Sequence, residues 1–216
     1  MLALAATLPV SLWAYPSALN LAPTADIQAA NTFRLALEND GHKRPFHKAA
    51  SSSFANGNVS YLYTEFGLTG RLEFGIDIYD MNDDNDSKEA YYNAKYLVNV
   101  ESAKMPAVAV GVYNAAKVCK PEYFAMGLKS FKKLRVHSGI QTLGGNTGAI
   151  FGFDYALPRN VSFLADYQSG LFRYGTVGLY WQATPAIGVN LYYAKNNTDA
   201  EADYVGIYAG YQWGWK

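Results

Sequence analysis

The chain has 216 residues, which is enough for one domain or one β-barrel. Its 18 Lys and Arg side chains balance 18 Asp and Glu side chains, and a net charge of zero argues against nucleic-acid binding, which requires a basic face. No stretch approaches the ~18 consecutive apolar residues of a membrane-spanning helix.

The N-terminal segment, residues 1–20, is predicted to be signal-like or irregular. Met1 to Ala14 is apolar enough for the hydrophobic region of an export signal, but no basic residue precedes it, and Leu12 stands where a small residue is expected before cleavage. A buried N-terminal segment is the alternative. After Pro16 the sequence PSALNLAPTADI has the proline and small-residue content of an irregular lead-in. We predict one barrel domain over residues 21–216.

Alternating apolar and polar side chains predict twelve strands, because a period of two places successive residues on opposite faces of a strand. Many tyrosines and glycines, 18 and 19 respectively, are also typical of short, evenly spaced strands. In chain order the strands are predicted at about Ile27–Glu38, Val59–Phe66, Leu72–Tyr79, Tyr92–Val100, Ala107–Val112, Phe124–Lys129, Leu134–Gln141, Phe151–Leu157, Val161–Gln168, Thr176–Gln182, Ile187–Tyr193 and Asp203–Lys216.

The last strand shows the alternation most clearly. Its odd positions are all apolar and end in aromatic residues, whereas its even positions are glycine, tyrosine and glutamine. Such a face suits a bilayer, since lipid covers its middle and amphipathic rings lie at the headgroup level. We therefore predict lipid-interface aromatics at Tyr211, Trp213, Trp215 and Trp181.

Strand number, strand length and connections predict an all-β, antiparallel, up-and-down transmembrane β-barrel of about 12 strands in a bacterial outer membrane. The first, third, fifth, seventh and eleventh connections are expected to be longer and polar. The second, fourth, sixth, eighth and tenth are expected to be short turns, and the ninth, at Ser169-Gly170, breaks the alternation. Long loops on one side and short turns on the other place both termini on the periplasmic side. A soluble β-sandwich or lipocalin-like barrel is the alternative, because it also has a period of two.

Polar residues on the inner parity are predicted to line the lumen. The candidates are Arg34, Glu73, Asp77, Lys95, Lys129, Arg135, His137, Asp154, Asp166, Tyr180, Tyr192 and Tyr208. Lys129, Arg135, Asp154 and Asp166 lie on four successive strands, which allows a ladder of opposite charges. This assignment makes Phe124, Met126 and Leu128 outward. Such charges can line a pore or close a small barrel, and their excess of carboxylates favours cations if the lumen conducts. The tyrosines either guide a sugar or fill the lumen.

No catalytic residue, metal site or cofactor is predicted. His42 and His47 lie in the first loop, and His137 points inward while its neighbour Ser138 points outward, so these two cannot act together as base and nucleophile. The acidic run Asp80–Asp86 has alternating oxygen ligands but lacks the glycine and the glutamate of a calcium loop. The one cysteine, Cys119, excludes an intramolecular disulfide, and its role is open.

Four stretches resemble the repeating hairpin units of YjbH-like outer-membrane barrels. They are PSALNLAPTADI, EFGLTGRLEFGIDIYD, NAKYLVNVESAKMPAVAVGVYN and DYALPRNVSFLADYQSG. The resemblance implies an outer-membrane location and, for some members, a link to exopolysaccharide or capsule export. It implies no catalytic residues.

The function predicted is non-enzymatic: a narrow, porin-like channel or an accessory of envelope polysaccharide traffic. One alternative is an outer-membrane enzyme acting on lipids, and another is a structural or adhesive barrel with a plugged lumen. The expected partners are outer-membrane lipid and small solutes or polysaccharide, without nucleic acid. The oligomeric state is open.

Overall fold

A computed structural model describes residues 18–42, 58–78, 90–116, 121–143, 145–170, 174–197 and 203–215. The predictions for Met1–Ala14, His47, Asp80–Asp86 and Cys119 fall outside these residues. Within them, no α-helix is long and apolar enough to span a membrane.

The chain forms one closed, antiparallel barrel of twelve strands, as predicted. Each strand pairs with its neighbours in sequence, and pairing of the first with the last, from Thr32 opposite Gly214 to His42 opposite Tyr204, closes the barrel. The strands are β1 (Thr32–His42), β2 (Asn58–Thr69), β3 (Leu72–Ile78), β4 (Ala90–Asn99), β5 (Ala107–Ala115), β6 (Glu122–Phe131), β7 (Leu134–Leu143), β8 (Asn146–Leu157), β9 (Val161–Gln168), β10 (Tyr174–Gln182), β11 (Ile187–Asn196) and β12 (Tyr204–Gly214).

The outer face of the barrel is apolar and exposed. On β12, Val205 and Ile207 are about half exposed, while their neighbours Tyr204 and Gly206 are buried. Similar apolar exposure recurs around the barrel, for example at Leu179 on β10. A water-soluble monomer rarely exposes so large a continuous apolar surface, so this face is suited to lipid.

The length of one connection differs from the prediction. The seventh consists only of residues 144–145, because the strands on either side extend into the glycine-rich run. The fourth spans residues 100–106, close to the link that the predicted strand bounds gave. We call the end of the barrel where β1 begins and β12 ends the turn end, and the opposite end the loop end.

Residues 18–28 fold inside the barrel, and we call them the internal segment. Residues 29–31 are exposed at the end of the barrel and lead into the wall, so the strand predicted from Ile27 instead begins at Thr32. An antiparallel bridge between Ala18 and Pro23 reverses the chain, and Leu19 N–H donates to the Ala22 carbonyl at 2.9 Å.

The sixth strand faces opposite to the prediction. Phe124, Met126 and Leu128 point inward, each at most 5% exposed. They pack with Ala22 and Ala25 of the internal segment in one apolar cluster. The prediction failed because alternation defines two faces but does not say which one is inside, and here the interior is itself apolar.

Candidate functional site inside the barrel

The barrel interior has an apolar part and a charged part. The apolar part joins the inward side chains of β5 and β6 to Leu97, Ile150 and the internal segment. Most other strands contribute polar or charged groups, which are buried against the internal segment or against each other. A charge removed from water requires a partner of opposite charge or several hydrogen bonds. The contacts of each buried charge therefore indicate what the interior recognises.

Two buried ion pairs near the turn end are joined by Gln28 of the internal segment. Arg34 Nη1 lies 3.1 Å from Glu65 Oε2, and Lys95 Nζ lies 3.0 Å from Glu73 Oε1. Gln28 donates its backbone N–H to Glu73 Oε2, and its side-chain Oε1 accepts from Arg34 Nη2, both at 2.6 Å. One glutamine thus binds a carboxylate of one pair and the guanidinium of the other.

Arg135 forms a second link between the wall and the internal segment. Its Nε donates to both carboxylate oxygens of Asp154, at 2.9 and 3.0 Å, and its Nη1 donates to both oxygens of Asp26 at 3.0 Å. Asp154 Oδ2 also lies 2.8 Å from His137 Nε2. Of the predicted charge ladder, the structure contains the Arg135–Asp154 pair on β7 and β8.

Asp166 on β9 binds the backbone of the internal segment. Its Oδ2 accepts the N–H groups of Asn20 at 2.9 Å and Leu21 at 3.2 Å. The Asn20 side chain continues the contact, since its Nδ2 donates to Thr176 Oγ1 at 2.9 Å and its Oδ1 accepts from Asn190 Nδ2 at 3.1 Å. Three adjacent strands therefore hold the reversal of the internal segment.

A cluster of carboxylates and tyrosines lies toward the loop end. Glu38 accepts hydrogen bonds from Tyr63, at 2.6 Å, and from Tyr192, which also lies 3.2 Å from Asp40. Asp77 accepts from the side-chain amide of Asn93. Among the described residues, no Lys or Arg forms an ion pair with Glu38, Asp40 or Asp77. Hydrogen bonds from tyrosine hydroxyls and a side-chain amide therefore satisfy these carboxyl groups in place of ion pairs.

The structure places most of the proposed lumen residues inside the barrel. Arg34, Glu73, Asp77, Lys95, His137, Asp154, Asp166, Tyr180, Tyr192 and Tyr208 are buried there, and Arg135 is partly exposed. Lys129 is a correction: it lies on the outward parity of β6, 3.4 Å from Glu101. Its Nζ also donates to the Ser102 carbonyl at 2.5 Å. Trp181, Tyr211, Trp213 and Trp215 lie on the exposed outer surface.

Sequence reasoning did not identify the binding groups of the internal segment. The sequence predicts an irregular lead-in that contains Asn20 and Asp26, and a first strand that contains Gln28. The small, proline-containing composition of PSALNLAPTADI was the available signal, because it is suited to close packing in a confined space.

Among the described residues, His137 and Ser138 are not arranged as a base and a nucleophile. His137 is fully buried, and Ser138 lies on the exposed face of the same strand. No group of three or more His, Cys, Asp or Glu side chains in the described part of the chain could hold a metal ion.

Similarity to known proteins is confined to structure. No protein-family model and no curated protein matches the chain. Among solved structures, the KdgM porin in complex with disordered oligogalacturonate matches with a TM-score of 0.56 and 10% identity, over 86% of this chain and 99% of that one. Another KdgM porin structure matches with a TM-score of 0.54 and 10% identity, over 85% and 99% of the two chains. Outer membrane phospholipase A from Escherichia coli matches with a TM-score of 0.50 and 9% identity, over 88% and 94%.

At these identities the comparisons show the fold alone. They do not separate a porin from an enzyme, and they do not confirm the YjbH-like resemblance. The closed twelve-stranded barrel with its exposed apolar outer face has the architecture of an outer-membrane protein, as the matched phospholipase has. The chain is an integral β-barrel protein of the bacterial outer membrane.

Proposed function

We propose that this chain is a narrow, non-enzymatic channel of the outer membrane whose lumen is occupied at rest by the internal segment. The proposal rests on one observation: polar contacts, not apolar packing, hold the internal segment against the charged part of the interior. Asp26, Gln28 and Asn20 contact the wall through ion pairs and hydrogen bonds. Water can replace such contacts, so displacement of the segment would leave a wall that is polar on one side and suited to a water-filled lumen.

The charge inside the barrel favours cations and neutral solutes. Among the described residues, the inward carboxylates outnumber the inward cations: Asp26, Glu38, Asp40, Glu65, Glu73, Asp77, Asp154 and Asp166 face Arg34, Lys95 and Arg135. When the internal segment is displaced and water reaches these groups, the carboxylates of the wall repel polyanions at close range. The oligogalacturonate named with the KdgM porin is an acidic saccharide. We therefore propose a different solute preference for this chain, despite the shared fold.

A role as an accessory of envelope polysaccharide traffic is compatible with this channel, and the resemblance to YjbH-like barrels supports it. The filled interior favours a second candidate, a structural or adhesive barrel whose plug does not move. The fold shared with the phospholipase supports a third candidate, an enzyme that acts on lipids. Against it stands the burial of His137 on the face opposite Ser138.

Single-channel recording of the full chain in a planar bilayer distinguishes the first two candidates. The informative variant combines Asp26→Asn with Gln28→Ala, because both changes lie on the internal segment and leave the charged wall intact. Glu101→Gln is the matched control, since it weakens an ion pair with Lys129 outside the lumen.

For a channel we expect brief, cation-selective openings in the unmodified protein and a several-fold higher open probability in the double variant. The control should behave like the unmodified protein. A double variant that inserts, folds and stays silent would contradict the channel and support the structural barrel.

A further inference from the structure

Exposed cations are concentrated on one side of the turn end. The connections between β2 and β3, β4 and β5, β6 and β7, and β8 and β9 contain one acidic residue, Glu101, which pairs with Lys129 at 3.4 Å. The same connections carry five exposed basic side chains, which we call the basic arc: Arg71, Lys104, Lys132, Lys133 and Arg159. This side of the barrel end therefore has a net positive charge.

The four connections of the basic arc lie side by side, because each strand of the barrel pairs with its neighbours in sequence. Paired strands are about 4.8 Å apart, so successive hairpins present their cations roughly 10 Å apart. None of the five cations forms an ion pair with another of the described residues. The next connection, residues 183–186, has no charged side chain. The positive charge of the arc is therefore available to a partner outside the chain.

Two cations of the arc occupy backbone positions that do not suit their residue type. Lys132 has a φ of 57° and Arg159 a φ of 62°, both in the left-handed region. This conformation is unfavourable for a residue with a long side chain, and glycine or asparagine usually takes it. Asn160, at a φ of 57°, is an example of the expected type. The shape of the turns therefore does not explain why Lys132 and Arg159 are basic.

Large apolar side chains flank these cations on the exposed surface. Met105 follows Lys104 and is 55% exposed, and Phe131 precedes Lys132 and is 56% exposed. Leu157 is exposed in the same way beside the next turn. A soluble anionic polymer would contact the cations alone. A phospholipid contacts both groups, because its phosphate binds a cation while its glycerol and upper acyl chain lie against apolar side chains.

We propose that the basic arc binds the headgroups of anionic phospholipids in the periplasmic leaflet of the outer membrane. The short turns of outer-membrane barrels face the periplasm, and Lys and Arg side chains at the membrane surface attract anionic headgroups. The arc lies on the outer rim, where a headgroup reaches it without entering the barrel. The binding does not depend on conduction, so a barrel that conducts no ions can still have this site.

The test is native mass spectrometry of the full chain in detergent micelles titrated with phosphatidylglycerol, with zwitterionic phosphatidylcholine as the comparison. The informative variant is Lys132→Asn, because asparagine removes the charge and suits the left-handed backbone. This variant should fold at least as well as the unmodified protein. Lys195→Asn is the matched control, since Lys195 is also an exposed lysine but lies at the loop end of β11.

We expect phosphatidylglycerol to bind more tightly than phosphatidylcholine, and Lys132→Asn to weaken its binding about fivefold, the contribution of one cation near an anionic bilayer. Adding Arg159→Asn should weaken it further, and Lys195→Asn should leave it unchanged. Equal binding of the two lipids, or equal effects of Lys132→Asn and Lys195→Asn, would overturn the proposal. Oligogalacturonate binding as tightly as phosphatidylglycerol would also overturn it, because a soluble polyanion has no acyl chain for Met105 and Phe131 to contact.

Discussion

Replacing Asp166 by Asn should release the reversal of the internal segment while leaving the barrel closed. The carboxylate accepts two backbone N–H groups, from Asn20 and Leu21, and it is 5% exposed. A hydrogen bond to a charged group contributes about 1.5–3 kcal/mol. Both N–H groups donate to the same oxygen, Oδ2, so the asparagine amide can keep both bonds but carries no charge. Each bond then weakens by about 1 kcal/mol, and we expect a loss of roughly 2 kcal/mol for the two together.

The assay is hydrogen exchange of the Asn20 and Leu21 amides in the refolded protein. A local loss of roughly 2 kcal/mol corresponds to about 30-fold faster exchange at these amides. Amides in the centres of β1 and β12 should keep their protection, because the pairs that close the barrel do not involve Asp166.

Asp77→Asn is the matched control. Asp77 is equally buried, but its hydrogen-bond donor is Asn93 on the wall. This variant should leave exchange at Asn20 and Leu21 unchanged. The reasoning would be refuted if Asp166→Asn left both amides as protected as before, or if Asp77→Asn exposed them to the same degree.

Two further predictions concern packing and pH. Gly111→Ala should destabilise the barrel by about 1–3 kcal/mol in denaturant unfolding, because the added Cβ would lie 2.3 Å from the Phe124 ring. Gly70→Ala, where an added Cβ meets nothing within 4 Å, should have almost no effect, and equal effects of the two would contradict the packing argument. Slight burial raises the pKa of Glu101, but hydrogen bonds from Ser130 and the Lys129 ammonium outweigh it and hold the pKa below its ordinary value of 4.5. Since the folded pKa is the lower one, the stabilisation is fully present above pH 4.5 and is lost as pH falls through the folded pKa. Thermal unfolding of Glu101→Gln should therefore depend less on pH below 4.5 than that of the unmodified protein, and identical slopes would refute this role.

The period of two predicted the strands, because successive side chains of a strand lie on opposite faces. On β12 the alternating apolar side chains from Val205 to Trp215, which end in aromatics, favoured a barrel in lipid over the soluble sheet that has the same period. Closure also follows from the membrane, since an open sheet edge cannot be satisfied in lipid. Strand number and the membrane location were therefore accessible from local pattern alone.

What fills the barrel was decided only by tertiary structure. Phe124, Met126 and Leu128 alternate with Ala125 and Gly127, and either set could face lipid. The inward choice depends on Ala22 and Ala25, which are about a hundred residues away in sequence and reach β6 only when the internal segment enters the lumen. The bonds from Asp166 to Asn20 and from Arg135 to Asp26 likewise join distant parts of the chain. A sequence pattern records the environment of each face, whereas contacts across a lumen depend on which segment occupies it.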